Sequence, residues 1–171
     1  ILLNQEIFIR FIVAINNQVF LKDGLVIFSA EHQAHYSSSI KMFFEEPFLG
    51  IGPKMFRHLC DYQRFYVEMG CSTHPHNTYF QLLAETGIFS FSFIFFLFIY
   101  FMKIVFEQIY NIFIKGEAKY TTHFMLIISA IIITLWPVAP TNNFFNNWIN
   151  VIYFFPIGFL LYYLKNNFIK T

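Results

Sequence analysis

The sequence predicts an all-α membrane protein: about three transmembrane helices preceded by a partly helical extracytoplasmic loop. Composition is the first reason. Of 171 residues 57% are hydrophobic, 22% aromatic and only 12% charged, about half the charge a soluble domain uses to cover its surface. Hydropathy is the second. Long apolar runs fill the chain after residue 86, whereas the earlier part holds both cysteines, most of the acidic residues, and His32, His35, His58, His74 and His76. The third is lysine placement, described below, which alternates between connections. A disordered chain would carry far fewer aromatics. A nucleic-acid partner is excluded because the net charge is +1 and the 11 Lys and Arg are scattered rather than clustered on one face.

Residues 1–27 read as an amphipathic or partial membrane segment. Arg10, Lys22 and Asp23 interrupt the apolar run of 7–28 and Asn16-Asn17-Gln18 lies at its centre, so an interfacial helix fits better than a fourth span. The chain opens Ile1-Leu2-Leu3 without a basic n-region or small-residue cleavage site, and reads as the C-terminal piece of a longer protein. Residues 28–84 form the loop. Within it, Glu31-His32-Gln33-Ala34-His35-Tyr36 precedes an expected helix over 37–44, and Gly50-Ile51-Gly52-Pro53 is a glycine-rich turn. Pro75 suits a first helical position capped by Thr73 or His74, which would put His76, Phe80, Leu83 and Gly87 on one face.

That helix leads into the first span, 85–106, which has no charge from Thr86 until Lys103; at a 1.5 Å rise it approaches a hydrocarbon core of roughly 30 Å. Residues 107–121 connect it to a second span at 122–138, stopped by Pro137 and Pro140. An uncharged link at 139–147 precedes the third span at 148–165, kinked by Pro156, and a tail at 166–171. Lys103, Lys115, Lys119, Lys165 and Lys170 lie around the first connection and the tail. The positive-inside rule puts those segments in the cytoplasm and the 28–84 loop on the opposite side.

On that side Cys60 and Cys71 can form a disulfide; two unrelated buried thiols are the alternative. No metal is expected, since the His and Cys spacings match no zinc module and Glu31-His32-x-x-His35 has its glutamate on the wrong side for a metalloprotease helix. No Gly-x-Ser-x-Gly elbow supplies a nucleophile. His58 and His123 read as surface or interfacial side chains rather than catalysts. The densest polar group is His74-Pro75-His76-Asn77: free amides at a helix start favour an anion, and two imidazoles there add a titratable donor or base, the makings of a diphosphate site. Lys54 and Arg57 can hold phosphate, although the turn before them alone reads as an ordinary turn. Glu85, at the mouth of an apolar span, needs a partner, either a buried donor on another helix or His76.

The run His74-Pro75-His76-Asn77-Thr78-Tyr79-Phe80-Gln81-Leu82-Leu83-Ala84-Glu85-Thr86-Gly87, preceded by Pro47-Phe48-Leu49-Gly50-Ile51-Gly52-Pro53, resembles the periplasmic-loop signature of the bacterial O-antigen ligase and O-antigen polymerase superfamily. The resemblance covers roughly residues 30–165 and implies a fragment of a polytopic class C-type glycosyltransferase. It implies a multi-pass protein of the bacterial inner membrane, with loop 28–84 periplasmic. Glycan would pass from an undecaprenyl-diphosphate-linked donor onto an acceptor glycan or lipid A core, with no metal or cofactor. The family's loop histidine maps onto His76, with His74 and Glu85 beside it as catalytic candidates. Arg57, Lys54, Arg10, His35 and Asn77 become the diphosphate candidates, and His32 and His35 occupy a region where the family carries an arginine. His76 would accept the hydroxyl proton when neutral or bind the diphosphate when charged. The competing class is a non-catalytic polytopic membrane protein or transporter segment with a structural outer loop. Its polar groups would gather near the midplane rather than at the outer edge of one span.

Overall fold

The computed structural model describes residues 9–10, 12–13, 20–21, 24–25 and 29–168. Residues 9–10 and 12–13 are helical, and β1 (Phe20–Leu21) pairs antiparallel with β2 (Gly24–Leu25). The expected interfacial helix therefore does not run through to residue 28; its remainder lies outside the described residues. Five helices follow: α1 (Ala30–Glu45), α2 (Phe56–Leu59), α3 (Thr78–Tyr110), α4 (Thr122–Thr134) and α5 (Asn147–Phe168).

Helix α1 starts seven residues before the expected Ser37. Ser29 caps it, accepting from the His32 amide, so the His32 and His35 cluster lies inside the helix rather than ahead of it. Helix α3, by contrast, starts later than expected. Asn77, not Thr73 or His74, is its cap: Asn77 Oδ1 accepts from the amides of Tyr79 and Phe80, and Pro75 stays in the preceding turn. His76 consequently falls off the helical face it was assigned to.

Helix α3 breaks once, at Gly87, with φ 71 and ψ −168. The segment 47–52 fills the break. Ile51 and Gly52 donate to the carbonyls of Ala84 and Glu85, and the Ile88 amide donates to Pro47, so the freed backbone groups find partners. Gly50 (φ 69) permits the approach: a side chain there would meet the Glu85 and Thr86 backbone at 2.4 Å.

Beyond the break α3 runs on to Tyr110 and continues as a π-helical turn, Asn111–Lys115, into what was expected to be a loop. Glu107 and Gln108 close the connection to α4. Glu107 Oε2 accepts from Lys119 Nζ and the Tyr120 hydroxyl, and Gln108 bonds both backbone groups of Tyr120. One core joins α3 to α4 through Ile94, Phe98, Phe101, Ile104, Phe124, Ile128 and Ile131, with Leu160 and Leu164 of α5 against it.

Among the described residues two helices are long and apolar enough to cross a membrane, Thr78–Lys115 and Asn147–Lys165. Helix α4 has 13 residues, about 20 Å, because it ends at Thr134 rather than 138; it falls short of a hydrocarbon core of about 30 Å. Phe89, Phe93 and Phe96 of α3 and Val151, Ile152 and Phe155 of α5 are exposed, an outer surface suited to lipid or further helices rather than water.

Candidate functional site

At the N-terminal end of α3 the fold collects four imidazoles from two segments. His32 and His35 come from α1, His74 and His76 from the turn before α3. Ring centroids lie 4.1 Å apart for His74 and His76, 5.3 Å for His35 and His76, and 5.6 Å for His32 and His76. Tyr36 of α1 stacks on Phe80 of α3 at 4.2 Å, which holds the two segments together. The sequence motif marked His74, His76 and His35; His32 joins them because residues three apart on a helix share a face.

His76 is the centre of this group. It adopts φ 58, a left-handed backbone uncommon outside glycine, and its carbonyl accepts from the Thr141 amide at 2.9 Å. Its half-buried ring makes no hydrogen bond among the described residues. Burial, then the charge of His32, lowers its pKa, with Glu31 opposing. It is therefore neutral at pH 7 and able to accept a proton.

His74 has a different geometry from the one expected of a catalyst. It is buried, its Nδ1 lies 3.0 Å from the Thr73 hydroxyl and its Nε2 lies 3.3 Å from the Thr141 carbonyl. A carbonyl only accepts, so Nε2 carries the hydrogen and Nδ1 accepts from Thr73. Burial, then the charge of His76, pushes its pKa down to about 4. Both nitrogens are occupied, and the ring fixes the His76 turn against the 137–143 link. His35 is also buried, its pKa lowered by burial and then by His76, and its Nδ1 has no hydrogen-bond partner among the described residues.

Glu85 does not approach His76. It is fully buried; Oε1 accepts from the Phe56 amide at 2.9 Å and Oε2 from Gln81 Nε2 at 2.9 Å. Its partner is the donor expected of a buried carboxylate, on α2 rather than in the histidine cluster. Gln81 then reaches the link after α4: Nε2 donates to Asn143 Oδ1 and Oε1 accepts from the Phe144 amide, each at 2.9 Å. This Glu85–Gln81–Asn143 chain was missed in the sequence. Its only trace there was Gln81 four residues before Glu85, one turn away on the same helix.

Asn77 is 1% exposed and its carboxamide is engaged within the fold, Oδ1 capping α3 and Nδ2 donating to the Pro137 carbonyl at 2.7 Å. Lys54 (φ 63) and Arg57 are exposed on the 50–57 segment. The ion pairs among the described residues use Arg64, Lys103 and Lys119 and not Lys54 or Arg57, although the buried Glu85 carboxylate feels the charge of Arg57. Arg10 is exposed on its helical turn and no described contact joins it to the cluster.

Cys60, at the end of α2, is bonded to Cys71, with Cα atoms 5.1 Å apart. The bridge packs with Met42, Phe56, Phe65 and Ala84 and ties the Arg57 segment to the turn leading to His74. Asp61 lies beside the two sulfurs, but bonded sulfurs are not thiolate ligands for a metal.

Residues 29–95 match the family model described as O-antigen ligase, a span that includes all four clustered histidines, both cysteines, Lys54, Arg57, Glu85 and the break at Gly87. The matched span is less than half of the chain, and the likeness is to that part of the family model. Comparison with curated proteins and with solved structures returned no match.

Proposed function

We propose that this protein transfers glycan from an undecaprenyl-diphosphate-linked donor onto a sugar hydroxyl, at the periplasmic face of the bacterial inner membrane. The observation that carries the reading is the position of His76. A neutral imidazole with no hydrogen-bond partner among the described residues sits at the N-terminal end of an apolar helix, against the His74 ring, which itself feels the charge of the exposed Arg57.

The chemistry follows from those groups. The acceptor hydroxyl oxygen attacks the anomeric carbon of the donor, and the bond from that carbon to the phosphate oxygen breaks with its electron pair going to the diphosphate. His76 takes the hydroxyl proton. Lys54 and Arg57 stabilise the charge on the departing diphosphate, Arg57 through its planar fork and Lys54 as a point charge. His74 keeps the His76 turn in place, and Glu85 with Gln81 holds the Arg57 segment and the Asn143 link in register. The acceptor is a second lipid-linked glycan or the sugar core of lipid A.

The test uses the full-length protein in a host lacking its own ligase but still making lipid-linked glycan, read on a glycolipid gel. Wild type should move glycan onto lipid A core, and His76→Ala should abolish transfer at equal protein level. Transfer surviving in His76→Ala would remove His76 from the site.

A further inference from the structure

A polar cleft of about 320 Å³ opens on the outer side, lined by Lys54 and Arg57 on one wall and by Asn143, Asn146, Asn147 and Trp148 on the other. We infer that the Asn143–Trp148 wall binds the sugar bonded directly to the diphosphate, so that this link selects the donor; the inference rests on the transfer reading above. The cleft's chemistry is that of a glycosyl phosphate. One wall offers two exposed cations, in no ion pair among the described residues, for phosphate oxygens. The other offers carboxamides, which both donate to and accept from hydroxyls, beside an indole that is 86% exposed. The face of an indole is apolar and electron-rich, a platform for the C–H face of a pyranose ring.

The second wall is built rather than accidental. Asn143 is 8% exposed, and its Oδ1 is held by Gln81 Nε2 and the Phe145 amide, each at 2.9 Å. Asn146 Oδ1 accepts from the Trp148 amide at 3.2 Å, which starts α5 and sets where the indole projects. The same Gln81 is bonded to Glu85, whose other oxygen holds the Phe56 amide next to Arg57. One buried chain therefore sets the spacing of the two walls, as a site for a ligand of defined length requires.

The experiment measures binding to the purified full-length protein with two probes, farnesyl diphosphate and the same molecule carrying one N-acetylhexosamine on the diphosphate. Wild type should bind the sugar-bearing probe about tenfold more tightly, the sum of one aromatic contact and one or two hydrogen bonds. Trp148→Ala and Asn147→Ala should erase that preference, Trp148→Phe should keep most of it, and Arg57→Ala should weaken both probes alike. Equal affinity of wild type for the two probes, or a preference intact in both Asn147→Ala and Trp148→Ala, would overturn the inference. If Trp148→Ala does not accumulate, Asn147→Ala decides. Sugar-dependent binding with no transfer by wild type would retain the wall and remove the transfer reading; transfer without sugar-dependent binding would do the reverse.

Discussion

A β-carbon added at Gly87 would lie 2.2 Å from the carbonyl oxygen of Phe48, so the break in α3 and the 47–52 segment are built for each other. Gly87→Ala must strain φ 71 and push back the segment that carries Lys54 and Arg57 toward the site. We expect a stability loss on the order of 2–4 kcal/mol. It should read as a lower unfolding temperature of the purified protein and lost transfer; an unchanged unfolding temperature would contradict the tight fit.

Glu85→Ala leaves the Phe56 amide and Gln81 Nε2 short of an acceptor in a buried place, a cost of about 1–3 kcal/mol. Because both walls of the cleft hang on this carboxylate, donor KM should rise more than kcat falls. Glu85→Gln keeps an oxygen for Phe56 and should retain much of the function. Glu85→Gln losing kcat as completely as His76→Ala, with KM unchanged, would mean that the carboxylate acts in the chemistry itself.

The pH dependence has a defined sign. His74 has a folded pKa of about 4 against 6.5 for a free imidazole, so the unfolded chain binds the extra proton between those values. Stability should be full above pH 6.5 and fall as pH drops through that window, by about 1–2 kcal/mol at pH 5. His35 and His76, also lowered, add to the slope. His74→Gln should flatten the profile of unfolding temperature against pH while keeping a donor for the Thr141 carbonyl. A wild-type profile flat from pH 7 to 5 would be incompatible with this cluster.

The Cys60–Cys71 bridge closes a short loop, with the two cysteines 11 residues apart, and its loss should cost about 2–3 kcal/mol. Thiol titration of the unreduced native protein should count no free sulfhydryl. The double Cys→Ser variant should unfold earlier and bind diphosphate more weakly, because the bridge ties Arg57's segment to the turn before His74. Two titratable thiols in the native protein would contradict the bridge.

Local chemistry in the sequence determined the apolar helices, the cysteine pair and the histidines. An uncharged run such as 86–102 must become helix to satisfy its backbone away from water, and His74-Pro75-His76-Asn77 marks a helix entrance in any context. The details of that entrance were decided by tertiary structure. Asn77 became the cap of α3, its side chain oriented by a bond from Nδ2 to the Pro137 carbonyl, sixty residues on. Glu85 turned to Phe56 instead of His76 because α2 brings an unpaired amide to it, and His74 lost its catalytic freedom to Thr141. The uncharged link at 139–147 gave no sign of a role in isolation. Its asparagines gained one when Gln81 drew Asn143 into the core, for a buried polar group takes its partner from whatever the fold delivers, and sequence spacing does not record that delivery.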